Sequence, residues 1–151
     1  MKRIISILLI LLFITLTVGC NFKKGEDNTK VQNLNEMNEV IKSVQAIING
    51  VEYTINLKNN EAAQMFANYL PQEFRMKELN GNEKYIYLDT SFPTNSFNPQ
   101  RILKGDIMLY GDNCLVIFYK SFDTPYSYTK IGHIDNLPDL GSDNITVIFK
   151  K

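Results

Sequence analysis

Side chains that commonly perform catalysis or hold metal ions are scarce in this chain. It contains one histidine, His133, and two cysteines, Cys20 and Cys114. A metal site normally combines several His, Cys or carboxylate ligands at a defined spacing, and His133 with Asp135 is too small a set. No Ser-His-Asp set, phosphate-binding loop or pair of catalytic carboxylates stands out as a motif. We therefore expect no metal and no cofactor, and we interpret His133 as a polar residue on a strand.

The segment that ends at Cys20 has the pattern of an export signal. Two basic residues precede a largely apolar run, Ile4–Val18, and Gly19 follows directly before the cysteine. This order of charge, apolar run and small residue is typical of a secretory signal peptide. As a helix, the apolar run would extend roughly 22 Å, which is less than the ~30 Å hydrocarbon core of a bilayer. Cleavage of residues 1–19 is therefore favoured over a membrane-spanning helix.

The five residues Leu16-Thr17-Val18-Gly19-Cys20 resemble the lipobox of bacterial lipoproteins. In that family the thiol is alkylated with diacylglycerol, and the cysteine becomes the first residue of the mature protein. The resemblance implies an acylated, palmitate-bearing Cys20, and two or more acyl chains hold a protein stably on a membrane. It predicts a lipid anchor on the extracytoplasmic face of the cell membrane, with residues 20–43 as a polar tether. A cleaved signal without lipid and an uncleaved anchor are the alternatives.

Composition argues against a nucleic-acid partner. Basic and acidic residues number 16 each, and cleavage before Cys20 would leave 14 basic and 16 acidic residues. Nucleic-acid binding favours clustered positive charge, which is missing here. Once Cys20 carries lipid, Cys114 has no disulfide partner in the chain. Because Cys114 begins the apolar run 114–119, we expect a buried core residue rather than a reactive thiol.

The part of the chain from Ser43 onward is predicted to be mainly β. Asn49-Gly50 and Asn80-Gly81 each separate two β-rich runs, and this dipeptide favours the positive φ angles of a tight hairpin. One helix is predicted over Asn60–Leu70, where Pro71 stops it. The predicted strands are Val44–Ile48, Val51–Leu57, Phe74–Leu79, Lys84–Leu88, Asp106–Tyr110, Cys114–Lys120, Ser127–Ile134 and Ile145–Phe149. One helix among strands joined by hairpins predicts a closed or nearly closed antiparallel barrel.

Five blocks in chain order carry a family resemblance. They are 65–71, 79–84 (Leu-Asn-Gly-Asn-Glu-Lys), 105–107 (Gly-Asp-Ile), 115–120 (Leu-Val-Ile-Phe-Tyr-Lys) and 130–135 (Lys-Ile-Gly-His-Ile-Asp). With these blocks the chain resembles the bacterial cyclophilin-like fold family, which consists of small barrel proteins of mostly unassigned function. The resemblance implies a cyclophilin-like antiparallel β-barrel over residues 44–151, with one capping helix. It does not imply the activity of cyclophilin.

Prolyl isomerisation is the sharpest catalytic hypothesis. In cyclophilins an arginine stabilises the rotating X-Pro amide, whose rotational barrier is about 18–20 kcal/mol for an ordinary peptide bond. The run Arg101-Ile102-Leu103-Lys104-Gly105 is faintly similar to the start of that signature, but the pocket residues do not follow. Arg101 would be the catalytic residue of a degenerate peptidyl-prolyl cis-trans isomerase. Otherwise it is a surface charge beside the long irregular segment 89–104.

Aromatic residues suggest a binding function. Tyr119, Tyr126 and Tyr128 could line a groove for an extended peptide or a sugar, although 122–126 could equally be a turn packed by its own rings. We predict a binding or accessory module for a peptide or small molecule, bound near the loop Thr90–Lys104. The candidate ligand-binding residues are Arg101, Tyr119, Tyr126, Tyr128 and His133. The rivals are the isomerase and a structural envelope protein without a small ligand, and the oligomeric state is not indicated.

Overall fold

The computed structural model of the protein describes residues 40–151. The predicted signal peptide, Cys20 and most of the predicted tether lie outside the described residues. Residues 40–151 form ten strands and one helix. The strands are β1 Ser43–Ile48, β2 Val51–Leu57, β3 Gln72–Leu79, β4 Glu83–Tyr87, β5 Arg101–Ile102, β6 Asp106–Tyr110, β7 Cys114–Phe118, β8 Phe122–Asp123, β9 Thr129–Ile134 and β10 Ile145–Lys150, and the helix is α1 Glu61–Tyr69.

Eight of these strands close into an antiparallel barrel. Their order around the barrel is β1-β10-β3-β4-β7-β6-β9-β2, and β5 and β8 form a separate two-stranded sheet. The prediction of a mainly β, closed antiparallel barrel with a single helix is confirmed. The sequence pattern does not predict β5 and β8, because two residues are too few to show an alternation.

Local rules account for the hairpins and for the ends of the helix. Asn49 and Gly50 have φ angles of 51° and 81°, and Asn80 and Gly81 have 58° and 70°, as tight hairpin turns require. Asn60 caps α1, since its side chain accepts a hydrogen bond of 2.8 Å from the backbone N–H of Ala63. No helix within residues 40–151 combines the length and the apolar character needed to cross a bilayer.

The helix packs on the interior of the barrel. Phe66 of α1 meets Phe149 of β10 edge-on, with ring centroids 5.4 Å apart, and both rings are buried. Asn60 also ties the start of the helix to β9, because its side-chain amide donates to the carbonyl of Lys130 at 2.8 Å. The helix is therefore fixed to the barrel by apolar packing and by its own cap.

Strand β7 is buried on both faces. Leu115 and Ile117 belong to the large core inside the barrel. Val116 and Phe118 belong to a second apolar cluster on the outside, which Tyr128 and residues of β5 and β8 help to form. The prediction that this strand is buried on each side is confirmed. The outer cluster is one border of the pocket described next.

Candidate functional site

The outer surface of the barrel carries an open pocket of about 320 Å³ beside the outer apolar cluster. Five of the lining residues are tyrosines: Tyr85, Tyr87, Tyr110, Tyr126 and Tyr128. The others are Leu79, Asn80, Glu83, Cys114 and Val116. We call this site the tyrosine pocket.

Strand pairing builds the base of the tyrosine pocket. In the antiparallel ladder of β4 and β7, Tyr85 lies opposite Val116 and Tyr87 lies opposite Cys114. Side chains two residues apart on a strand point to the same side, so Glu83 joins Tyr85 and Tyr87 on the outer face. The tight turn between β3 and β4 adds its own residues at one end. The base is thus made of regular strands and not of a loop.

The tyrosine rings hold one another at steep angles. Tyr85 and Tyr87 are 6.0 Å apart at 84° between ring planes, and Tyr110 and Tyr126 are 6.0 Å apart at 82°. Tyr110 also contacts Tyr128, with centroids 5.6 Å apart. Edge-to-face pairs of this kind are favourable arrangements of aromatic rings. The rings therefore form walls around a corner rather than one flat surface.

Several of these rings are open to solvent. Tyr87 is 64% exposed, Tyr126 57% and Tyr110 46%, and Leu79 beside them is also exposed. A contiguous apolar patch on a soluble domain usually marks a binding surface. The patch and the pocket coincide, so this face of the barrel has both the shape and the surface character of a ligand site.

Glu83 is the ionisable carboxylate of the pocket. Burial, and after it the negative charge of Glu78, raises the pKa of Glu83 from 4.5 to about 7. Within residues 40–151 its carboxylate has no hydrogen-bond or ion-pair partner that would lower the pKa. Near neutral pH, Glu83 can therefore accept or release a proton, and no cation in the described part of the chain is paired with its charged form.

The raised pKa of Glu83 predicts a pH-dependent stability. Because the folded state binds this proton more tightly than the unfolded state, stability falls as pH rises from about 4.5 to about 7. A shift of this size in a fully buried group would cost about 3 kcal/mol, and partial exposure to solvent reduces this to about 1–2 kcal/mol. Glu83→Gln is therefore expected to raise the free energy of unfolding at pH 8 by about that amount and to change it little at pH 4.5.

Urea unfolding at the two pH values measures this difference. The matched control is Glu73→Gln, which removes an exposed carboxylate from β3 and should stay within about 0.5 kcal/mol of the parent protein. If the Glu83→Gln variant and the parent protein are equally stable at pH 8, the raised pKa of Glu83 is contradicted.

Cys114 lies at the base of the tyrosine pocket as a free, buried cysteine. Burial, and after it the charge of Glu83, raises the pKa of its thiol to about 11. The thiol therefore stays protonated at neutral pH, and a protonated thiol is a poor nucleophile. The prediction that Cys114 is a core residue is confirmed.

The family of the chain follows from comparison with known proteins. Residues 46–150 match the family model described as the cyclophilin-like family. The chain belongs to the cyclophilin-like family. The resemblance carried by the five sequence blocks is thereby confirmed, together with the fold that it implied. No curated protein and no solved structure matches the chain.

The cyclophilin-like barrel separates the residues that the sequence groups as ligand-binding candidates. Tyr126 and Tyr128 line the tyrosine pocket. Tyr119 does not line this pocket. It follows β7, points to the same side as Leu115 and Ile117, and is buried in the main core inside the barrel. Its hydroxyl donates to Oε2 of Glu78 at 2.8 Å. The sequence places Tyr119 beside the other two tyrosines, but the barrel wall lies between them.

Arg101 also lies away from the lining of the tyrosine pocket. It is on the two-residue strand β5, and its guanidinium Nη1 donates to Oδ1 of Asp123 on β8 at 2.6 Å. Both side chains are largely exposed. The cyclophilin-like domain thus uses Arg101 to join its two-stranded outer sheet.

His133 belongs to a polar cluster between β6 and β9. Its Nδ1 lies 2.9 Å from Oδ1 of Asp106, which is itself buried and ion-paired with Lys130. The Nε2 atom lies 3.5 Å from Oδ1 of Asp135. In the described part of the chain, no group of three His, Cys, Asp or Glu side chains is arranged to hold a metal ion.

The carboxylate and three of the five tyrosines of the pocket escape prediction from the sequence: Glu83, Tyr85, Tyr87 and Tyr110. The available signal is the alternation of residues 83–87, which places two tyrosines and a glutamate on one side of the strand. An exposed aromatic face is recognised only when the opposite face is known to point inward. That face carries Lys84, which a sequence pattern assigns to solvent.

Proposed function

We propose that this protein is a membrane-anchored extracytoplasmic lipoprotein whose cyclophilin-like domain binds a peptide or small-molecule ligand in the tyrosine pocket. The observation that carries the binding function is the coincidence of a concave site with exposed aromatic rings. Its volume of about 320 Å³ lies at the lower end of the range for ligand sites, which is about 300–1,000 Å³. A compact ligand, or one side chain of a peptide, fits this size.

Binding rather than catalysis is favoured by the chemistry of the site. Of the groups in the pocket, Cys114 is protonated, and within residues 40–151 no hydrogen bond joins the Glu83 carboxylate to a nucleophile or to a second acid. Arg101, the arginine that the sequence suggests for isomerisation, is ion-paired at the surface with Asp123. The tyrosines supply contact area and hydroxyl groups, which serve recognition.

Tyr126→Ala is expected to weaken ligand binding by about threefold to tenfold, because it removes one aromatic wall worth about 0.5–1.5 kcal/mol. The probes are a panel of capped tripeptides and small aromatic fragments, and the measurement is the dissociation constant by calorimetry. Arg101→Ala is the control and should leave the constant unchanged. Loss of binding in the Arg101 variant, with full binding in the Tyr126 variant, would move the site to the loop around β5.

The lipid anchor is tested separately. Cys20→Ser is expected to move the protein from the membrane fraction to the soluble fraction, because the thioether to diacylglycerol cannot form. Cys114→Ala is the control, since it removes the other thiol without touching the acylation site. Mass spectrometry of the native protein should find Cys20 acylated. An unmodified sulfur on Cys20 in membrane-bound protein would contradict the anchor.

Isomerase activity is the rival function, and a protease-coupled assay on a proline-containing peptide addresses it directly. We expect no acceleration above the uncatalysed rate. Catalysis that disappears in the Arg101→Ala variant would replace the binding function with isomerisation.

A further inference from the structure

When it is ionised, Glu83 gives the tyrosine pocket a negative charge, and no cation within residues 40–151 is paired with it. The titratable groups that interact electrostatically with Glu83 are Glu78, Cys114, Tyr119 and Tyr128, and none of them is a cation. Lys77 of β3 lies opposite Tyr85 on the same outer face, but it makes no ion pair with Glu83. The neighbouring cation on the same strand, Lys84, points into the barrel and is fully buried. Its ammonium donates to the carbonyls of Gly141 and Asp143 at 2.6 and 2.7 Å, so it cannot reach the pocket.

Five tyrosine rings line the pocket together with this carboxylate. The face of a tyrosine ring carries negative electrostatic potential and attracts cations that come within about 6 Å of its centre. Tyr85 and Tyr87 form one near-perpendicular pair, and Tyr110 and Tyr126 form another. Rings that meet at right angles can surround an ammonium group from several sides, as they do in sites that recognise alkylated amines.

We propose that the ligand of the tyrosine pocket is an organic ammonium ion, whose charge pairs with Glu83 while its apolar body contacts the tyrosine rings. This inference rests on the proposed binding function and names the ligand class of the same site. It explains why a carboxylate is kept among aromatic rings, where it destabilises the empty domain. An anionic ligand would be repelled by Glu83.

A neutral apolar ligand is disfavoured for a second reason. It would cover Glu83 and remove its remaining water without giving the carboxylate a partner, and a buried unpaired charge is costly. A cationic ligand also removes water from Glu83, but the ion pair that it forms with the carboxylate offsets the cost of this desolvation. Charge complementarity therefore selects the ammonium ion over neutral and anionic ligands of similar shape.

Benzylammonium, benzyl alcohol and benzoate are probes of similar size that differ in charge. Calorimetry with the full-length processed protein at pH 8 should show benzylammonium binding at least tenfold more tightly than benzyl alcohol, and benzoate not binding. Glu83→Gln should abolish the preference for the amine, and benzyl alcohol should bind this variant at least as tightly as it binds the parent protein. Glu73→Gln, which removes an exposed carboxylate on β3, should keep the preference.

Proton exchange gives a second readout. A bound cation stabilises the charged form of Glu83, so at pH 6 binding should release protons, which calorimetry in buffers of different ionisation enthalpy detects. The affinity for benzylammonium should fall by about tenfold between pH 8 and pH 6, because a carboxyl with a pKa of about 7 is mostly protonated at pH 6. The Glu83→Gln variant should show neither effect.

An ammonium group could come from a free amine or from a lysine side chain. A capped tripeptide with a central lysine and the same peptide with acetyl-lysine distinguish the two sources. Tighter binding of the lysine peptide than of both its acetyl-lysine form and benzylammonium identifies a peptide source, and tighter binding of benzylammonium than of the lysine peptide identifies a free amine. Either result supports the ammonium site.

The overturning results separate the two proposals. If benzyl alcohol or benzoate binds as tightly as benzylammonium, or if Glu83→Gln keeps the preference for the amine, the ammonium inference fails and the binding function stands. If benzylammonium and the lysine peptide both fail to bind while a probe without an ammonium group binds through Tyr126, the ammonium inference also fails and the binding function stands. If none of the amines, neutral fragments and peptides binds, both proposals are overturned.

Discussion

Glu78→Gln is expected to lower the free energy of unfolding by about 3–5 kcal/mol, because it leaves a buried ammonium without its counter-charge. Lys84 is 0% exposed, and its Nζ is ion-paired with Oε2 of Glu78. The same Nζ lies 4.8 Å from the centre of the Tyr119 ring. After the substitution, backbone carbonyl oxygens still accept hydrogen bonds from the Lys84 ammonium, but they cannot neutralise its charge. The loss of stability should therefore be large.

Urea unfolding at pH 7 measures the effect of Glu78→Gln. Glu73→Gln is the matched control, because it makes the same change on the same strand at an exposed position and should cost less than about 0.5 kcal/mol. Adding Lys84→Met to Glu78→Gln should recover most of the loss, since no buried charge then remains. Equal stabilities of the Glu78 and Glu73 variants would show that the buried pair is not stabilising.

Acid should have a related effect on the parent protein. Burial would raise the pKa of Glu78, but hydrogen bonds from Lys84, Tyr119 and the N–H of Gly81 outweigh it and hold the pKa below 4.5. The stabilisation is therefore complete above pH 4.5 and is lost as pH falls through the lowered pKa. The Glu78→Gln variant should lack this acid-dependent loss.

Gly105→Ala is expected to destabilise the protein by at least about 3 kcal/mol, because strain and a backbone collision act together. Gly105 has a φ of +95°, and a Cβ atom there would lie 2.1 Å from the carbonyl oxygen of Ile134. The backbone cannot move away easily. The N–H of Gly105 donates to Phe118 at 2.7 Å, and its carbonyl accepts from Ile134 at 2.9 Å.

The matched control for this substitution is Gly111→Ala. Gly111 also has a positive φ, +63°, but a Cβ atom there would meet nothing within 4 Å. Its replacement should cost only about 1 kcal/mol for the left-handed conformation. Thermal or urea unfolding compares the two variants, and a similar loss in both would contradict the role of the close contact with Ile134.

Most of the fold could be predicted from the sequence, because it depends on short-range rules. Each of the two Asn-Gly turns, the helix cap at Asn60 and the alternation of the apolar strands depends on residues only a few positions apart. The direction of the side chains of β4, inward or outward, cannot be predicted from such short-range rules. Lys84 faces the interior because Glu78 and the carbonyls of Gly141 and Asp143 bind its ammonium group. Gly141 and Asp143 follow Lys84 by 57 and 59 positions in the sequence, so a local pattern cannot reveal these contacts.

The direction in which strand side chains point also determines which residues line the candidate site. Tyr126 and Tyr128 are predicted and line the pocket, whereas Tyr119 is on the wrong face because aromatic residues near one another in sequence need not share a side of a strand. Glu83 and Tyr85 escape prediction for the complementary reason. Their outward direction follows from the inward direction of Lys84, which only tertiary structure reveals.

The central claim, that the outer face of the cyclophilin-like barrel is a ligand site, is tested most directly by mapping amide chemical shifts of isotope-labelled protein during a titration with benzylammonium and the capped peptides. We predict that the shifts cluster on Glu83–Tyr87 of β4, on Cys114 and Val116 of β7, and around Tyr126. Shifts that cluster around Arg101 and the loop before it, with none on β4, would contradict the account.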